Sequence, residues 1–377
     1  SPTQLISYFY LKKGRKPYVK RRKKGESTPT VDDKALARLA SYGEREAQLI
    51  LDIRKLQKIR GTYYEMGVDA DGRVRCSFNP VGTVQARISS SKNIWGTGAN
   101  LQNQPEEMLK LFFADPGGIY VSIDLSQAEN RVVAYDAQES RMMDALERGV
   151  DIHSLTGSLI HGVPIEQVDK EKRSDGKVAN FGLNFGLGVE SFIIRYQLER
   201  ERGKFIHARY HSVYPGIKEW HERVKEELSR KNRVLTNCYG RSRRFLDAWG
   251  ADLFEKAYNF RPQSTVATKM NEDGVRFVYE RQDLFPDVQF ANTVHDSIWL
   301  WVPLSRGARR VVEVALAVKR QLELPLLING RAVSIPADIK VGFTLAENDM
   351  LSWKASSFPR AVEELEEELA KYVKEKA

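Results

Sequence analysis

Two carboxylates stand where a folding chain least tolerates them. Asp124 ends the apolar, strand-like run Ile119-Tyr120-Val121-Ser122-Ile123, and Asp296 leads into Ser297-Ile298-Trp299-Leu300-Trp301-Val302. A carboxylate left unpaired beside a core is costly, so each acid needs a partner. A fold that brings the two together makes an oxygen-lined seat for divalent cations. Paired hard cations of that kind serve phosphoryl transfer.

The 377 residues suffice for two or three domain-sized units, and 42% hydrophobic residues support a sizeable core. The net charge of +9 favours a polyanionic partner. Cys76 and Cys238 are the only cysteines, which argues against a disulfide framework and for a reducing, cytoplasmic location. No apolar run is long enough to span a bilayer and no signal-peptide pattern opens the chain, so no membrane partner is expected. The first residue is Ser1, consistent with processing, excision from a longer protein, or loss of an initiator.

A basic run, 11–24 (LKKGRKPYVKRRKK), is broken by Gly14 and Pro17 and reads as a loop, either solvated or touching phosphate. Residues 44–65 read as a helix with Leu49, Ile50, Ile53, Leu56 and Ile59 on one apolar face and no earlier helix to receive it. Residues 72–91 are extended and turn-rich, and 119–124 form a buried strand. Helices are expected over 126–147, 166–187 and 215–231. Residues 290–302 read as two short strands with His295 and Asp296 at the turn, and 359–377 as a charged amphipathic helix. Strands and helices mix without βαβ alternation, so the expected class is α+β.

Arg173, Lys177, Phe181 and Phe185 are spaced by four. On an α-helix such a row keeps to one face. That face is cationic at one end and aromatic at the other, matching the phosphates and base of a nucleoside triphosphate. On spacing alone, a helix with a solvated basic end and two core aromatics is the simpler account.

Three segments together resemble the polymerase motifs of the family A DNA polymerases, the bacterial DNA polymerase I family. They are Asp124-Leu-Ser-Gln-Ala-Glu-Asn-Arg131, the row Arg173 to Phe185-Gly186, and His295-Asp296-Ser297, in the family's order. Residues 83–90 (TVQARISS), Asn100-Leu-Gln-Asn103 and Asp151-Ile-His153 resemble further family segments, as do Asn259 and Gln263. The resemblance covers about 1–353. It implies a right-hand polymerase fold with an antiparallel-sheet palm, helical fingers and a truncated helical thumb. The implied boundaries are partial thumb 1–70, palm 71–135 and 250–353, fingers 136–249, and a C-terminal helical extension 354–377.

The resemblance also implies roles. Asp124, Asp296 and the Leu125 carbonyl would bind two Mg²⁺, with Mn²⁺ as a substitute. Lys177 would act with the two acids in catalysis by offsetting charge on the leaving group. Ser126, Gln127, Glu129, His153, Arg173, Lys177, Phe181 and Phe185 would bind the nucleotide, with Glu129 excluding a 2′-hydroxyl. Arg87, Asn100, Gln102, Asn103, Arg241, Asn259, Gln263 and His295 would touch primer–template DNA. Arg131 would support the site or form a buried ion pair. The implied activity is template-directed addition of dNTPs to a primer, with other replication proteins as candidate further partners. No Asp-x-Glu cluster precedes the palm segments, so no 3′–5′ exonuclease is expected in this chain.

Three positions depart from the family pattern. Phe185 stands where a tyrosine usually bonds the motif-one glutamate, so Glu129 is expected to lack a partner and to exclude ribonucleotides loosely. Ser297 replaces a third acid. Glu255 replaces an arginine, with Lys256 beside it. These departures point to a viral or phage-type member. A phage-type RNA polymerase would share His-Asp-Ser but not Glu129. A decayed scaffold protein would not keep both acids and the whole basic-aromatic row.

Overall fold

The computed structural model describes residues 1–21 and 27–376; the last part of the basic run, 22–24, and Ala377 lie outside the described residues. The chain divides into two compact units, Ser1–Glu65 with Leu187–Ala208, and Met66–Gly186 with Arg209–Ala377.

In the first unit, helices α1 (Asp33–Ser41) and α2 (Arg45–Ile59) close over a core of Phe9, Tyr10, Val31, Leu36, Leu39 and Ala47. The expected apolar face of α2 is not the one that packs. Leu49, Ile53 and Leu56 are about half exposed or more, while Ala47 is buried and Ile50 and Leu51 lie against the core. This helix carries two apolar stripes. The core takes the one containing small Ala47, and Arg54 on that stripe fixes the choice by donating to the Val31 carbonyl (2.9 Å) and to Asp33 (2.8 Å). The helix therefore does have a partner, α1 together with the N-terminal turns.

The second unit is built on a five-stranded antiparallel sheet. Its strands are β1 (Gly118–Leu125), β2 (Gln289–Val294), β3 (Ser297–Pro303), β4 (Ala337–Gly342) and β5 (Leu351–Trp353), in the order β5-β4-β1-β3-β2. Period-two alternation sorts the faces. Ile119, Val121 and Ile123 are fully buried, and Ile298 lies opposite Ile123. The helix Gly307–Leu322 covers that side, with Leu322 and Ile298 both lying close to Gly274. Ser122 and Asp124 consequently face the other side, with Ser297 and Trp299 of β3 and Asp338 and Lys340 of β4 as cross-strand neighbours. The helix Val362–Lys376 packs on the Gly307–Leu322 helix through buried Leu365 and Leu369, and Trp353 Nε1 donates to Glu368 (2.8 Å).

The single helix expected over 126–147 is two, Ala128–Ala137 and Ser140–Glu147. Gln127 and Gln138 both adopt left-handed backbone (φ 53° and 57°) and bracket the first, and Glu139 caps the second through the Arg141 N–H. The helix expected over 166–187 runs only from Lys170 to Leu183. Asp169 caps its start by accepting from Lys172 N–H, and the left-handed Gly186 (φ 74°) follows its end. Phe185 therefore lies beyond the helix.

This helix (Lys170–Leu183) packs backbone to backbone on the helix Ile152–His161. A Cβ placed on Gly176 would lie 2.1 Å from the His153 carbonyl oxygen, and one on Gly157 would lie 2.4 Å from that of Lys172. Neither neighbour is a movable side-chain tip. Gly176→Ala is expected to lower stability by about 1–3 kcal/mol, the usual range for forced overpacking. Denaturant unfolding of the two proteins measures it.

Candidate active site

The turn between β2 and β3 carries His295 and Asp296, and His295 is held at φ 54° without being glycine. The Leu125 N–H donates to the Asp296 carbonyl (3.0 Å), which ties this turn to the end of β1. Asp124 and Asp296 are thus brought together from segments 172 residues apart in sequence. Burial pushes the Asp124 carboxyl well above its ordinary range, and the Asp296 charge pushes it further. Asp296 is also raised, chiefly by burial. Lys340 works against the shift of Asp124, and Glu347 and Asp338 reinforce it. Lys340 pairs with Glu347. Asp338 is occupied by Lys354 (3.0 Å) and the Ala355 N–H (2.7 Å).

This donor set fits a hard divalent cation. It offers two carboxylates with raised proton affinity, and no group of three or more His, Cys, Asp or Glu gathers as a metal cage among the described residues. Magnesium commonly binds through one or two carboxylates, leaving its other positions to water and substrate phosphate.

A second acid, Asp151, organises the nucleotide-binding candidates. It caps the helix Ile152–His161, accepting from the N–H groups of His153 and Ser154. It also accepts from Gln127 Nε2 (3.4 Å) and Arg173 Nε (2.8 Å). The structure therefore links the turn after Asp124 to the basic end of the Arg173 row. Arg173, Lys177 and Phe181 are exposed along that row, as their spacing predicts, whereas Phe185 is buried. His153 is buried against Phe181 (ring centroids 5.5 Å apart), and burial pulls its pKa down to about 4. Asn180 Nδ2 lies 3.1 Å from His153 Nδ1. The amide can only donate there, so the neutral ring carries its proton on Nε2. His153 can offer a phosphate an N–H but no charge near neutral pH.

Glu129 is not without a partner. Arg87 pairs with it directly, and Gln263 lies close enough to favour its charged form. Gln263 Nε2 donates to Asn259 Oδ1 (3.1 Å), so four of the named residues form one cluster. Burial still raises the Glu129 pKa, and the Arg87 charge opposes that rise. Asn100 accepts from Ser90 Oγ and the Gln102 N–H (both 2.9 Å). Gln102 Nε2 reaches Thr293 Oγ1 (3.1 Å) on β2. Ser126 is held by its N–H on the Pro336 carbonyl (2.8 Å). Arg131 donates to the Ser126 and Leu146 carbonyls (3.3 and 3.2 Å), supporting the turn through backbone acceptors. Lys256 bonds Asp247 (2.5 Å). His295 is exposed at its turn, Asn103 is exposed in a loop and Arg241 follows Gly240 between two short strands. Among the described residues, no side-chain hydrogen bond joins Asn103 or Arg241 to the cluster.

The sequence reading missed Asp151 as a hub, although its place immediately before a helix is a capping signal. It also missed Asn180, which sets the histidine tautomer and carried no signal. A separate cleft of about 490 Å³, lined by Asp136, Trp220, Arg223, Arg261, Cys238 and Asn329 among others, contains none of the candidates.

An acid pair at the sheet end, a capped basic-aromatic helix and a held glutamate occur together in one unit. The model of DNA polymerase family A matches residues 1–347. The chain belongs to that family. It is 34% identical over 306 residues to DNA polymerase I of Aquifex aeolicus, a match covering 79% of this chain and 50% of that protein. It is 29% identical over 309 residues to the thermostable DNA polymerase I of Thermus aquaticus, covering 78% of this chain and 35% of that one. The family A chain thus spans about half the length, or less, of these curated relatives. Its fold matches the POL domain of Pol1 from M. smegmatis, solved in complex with DNA primer-template and dNTP. That match has a TM-score of 0.74 and 23% identity, and covers 92% of this chain and 61% of that one. The α+β polymerase fold with its antiparallel sheet is therefore present. No helix among the described residues is long and apolar enough to cross a membrane.

The raised carboxyls give a signed prediction. A carboxyl whose folded pKa exceeds its unfolded value favours the fold at low pH, and that contribution is lost as pH rises through the folded pKa. Asp124→Asn removes the loss. In metal-free buffer its melting temperature is expected to exceed the wild-type value at pH 8, with the gap shrinking toward pH 4. Paired thermal melts across that range test it.

Proposed function

We propose that this family A chain is a template-directed DNA polymerase, adding deoxynucleotides to a primer 3′-hydroxyl by a two-metal mechanism. The observation that carries this reading is the bonded path from Gln127 through Asp151 to Arg173. It couples the carboxylate end of the sheet to a cationic row suited to a triphosphate. Asp124, Asp296 and the Leu125 carbonyl would hold two Mg²⁺, with Mn²⁺ as a substitute. Cations bound there lower the pKa of an attacking hydroxyl and offset charge on phosphoryl oxygens.

The chain's own groups do the rest. Arg173 keeps one edge of its guanidinium on Asp151 and has further N–H groups to offer phosphate. Lys177, one turn along, offsets charge on the leaving group, and His153 donates through Nε2. Phe181, 42% exposed, offers an apolar face to the sugar. Glu129, fixed by Arg87, crowds a 2′-hydroxyl; Arg87 and Gln263, with Asn259, Asn100, Gln102, Asn103, Arg241 and His295, face primer–template DNA. In this reading the partial thumb is 1–70, the palm 71–135 and 250–353, the fingers 136–249 and the extension 354–377. Residues 1–65 contain 16 Lys and Arg against 7 Asp and Glu, so they account for the entire net charge of +9. That surplus suits contact with a phosphate backbone.

Primer extension tests the reading. Asp124→Asn and Asp296→Asn should each abolish dNTP addition while primer–template binding persists and weakens with salt. Retained extension in both variants would rule the mechanism out. The Arg87–Glu129 pair makes a second prediction, measured as the ratio of rNTP to dNTP incorporation. Arg87→Ala should raise that ratio on the order of tenfold, ~1.4 kcal/mol of discrimination. Phe185→Tyr should change it by less than about threefold, because Glu129 is already held.

A further inference from the structure

Ser297 stands directly after Asp296, where the family pattern has an acid, and it is almost fully buried. Its hydroxyl both donates and accepts. Ser297 Oγ donates to the Val294 carbonyl (2.8 Å), spanning the turn that holds His295 and Asp296. It also accepts from the indole Nε1 of Trp299 (3.0 Å). Trp299 is itself held. Its ring meets Tyr120 edge-on (centroids 6.4 Å, interplanar angle 80°), and the Tyr120 hydroxyl donates to the Phe113 carbonyl (3.1 Å). Residues 297 and 299 lie opposite Asp124 and Ser122 in register, so this chain of side chains runs on the same sheet face as Asp124.

The turn needs such support. His295 occupies left-handed backbone (φ 54°), a conformation uncommon outside glycine although histidine enters it more readily than most residues. Strain of this kind persists where surrounding contacts over-determine the conformation. Among the described residues, the turn is tied beyond the strand ladder by the Leu125 N–H on the Asp296 carbonyl and by the Ser297 hydroxyl across its base. The hydroxyl can rotate, and one hydroxyl offers a single proton. The indole donor occupies an acceptor position of the oxygen and leaves the serine proton for Val294.

The geometry points to Trp299 as a positioning residue for Asp296, acting through Ser297 to fix the turn that presents this carboxylate to metal. The inference rests on the two-metal reading above. Trp299 is itself buried and reaches the turn through the Ser297 hydroxyl. A turn free to relax would let Asp296 sample orientations that do not bind, and the apparent metal affinity falls with the fraction of competent turns.

The test uses Mn²⁺ as the probe and does not depend on turnover. Binding to the DNA-free chain is followed by the electron paramagnetic resonance signal of free Mn²⁺, with Asp296→Asn as control. Trp299→Phe keeps the aromatic bulk and removes the donor. It should weaken Mn²⁺ binding about three- to tenfold, the effect of one lost hydrogen bond. Ser297→Ala should do the same, and the double variant should be no worse than either single one, since both break one relay. Ser297→Thr, which keeps the hydroxyl, should stay within about twofold of wild type. In extension assays the Mg²⁺ concentration for half-maximal rate should rise in parallel, with the dNTP KM at saturating Mg²⁺ unchanged. A relay of purely structural value would lower the melting temperature without this split. Unchanged Mn²⁺ affinity in Ser297→Ala, or additive losses in the double variant, would overturn the inference and leave the polymerase reading standing. Wild-type Mn²⁺ binding that Asp296→Asn does not alter would overturn both.

Discussion

Repulsion between two half-buried carboxylates is the constraint around which this unit is arranged. Asp124 and Asp296 are each pushed toward the neutral form by burial, and the Asp296 charge adds to the push on Asp124. A fold seeking only stability would separate them or replace one. Here the pairing of β1 with β3 and the Leu125–Asp296 backbone bond hold them close. The apolar opposite face of the sheet, packed under the Gly307–Leu322 helix, keeps the strands in register. The sheet thus stores an electrostatic cost that divalent cations would relieve, a pattern typical of functional sites.

Beyond that pair, the site is a set of acids with different assignments. Asp151 is spent on a helix cap, Gln127 and Arg173, and Asp338 on Lys354 and a backbone N–H. Glu129 is held by Arg87. Each of these has its own cation or donor. The two acids at the sheet end are instead the pair left to repel, which sets them apart from the ordinary ion pairs in the same neighbourhood.

Much of this was readable from the chain, because local periodicity determines it. The acids stood out against period-two apolar runs, and the His295–Asp296 turn fell between two strands as spacing required. Arg173, Lys177 and Phe181 share a face because a helix enforces it. What escaped depended on contacts distant in sequence or on choices between equivalent patterns. The partner of Glu129 is 42 residues upstream, so the replaced tyrosine suggested a vacancy that Arg87 fills. Helix α2 offers two apolar stripes, and only the Arg54 contacts with Val31 and Asp33 decide between them. Phe185 fell off its helix because Gly186 takes a left-handed conformation, which spacing by four does not register.

The glycine contact between the helices Ile152–His161 and Lys170–Leu183 has a further consequence. His153 lies on one, Arg173 and Lys177 on the other, and backbone rather than side chains separates them at Gly157 and Gly176. Side-chain contacts can slide by changing rotamers; at these two points there are no rotamers to change. The two helices are therefore tied closely where the glycines meet, and a displacement of Arg173 and Lys177 carries His153 with it. The same contact narrows the paths open to sequence drift. At the present spacing neither glycine can acquire a side chain without strain, and any larger pair would require the helices to move apart, shifting His153, Arg173 and Lys177 at once.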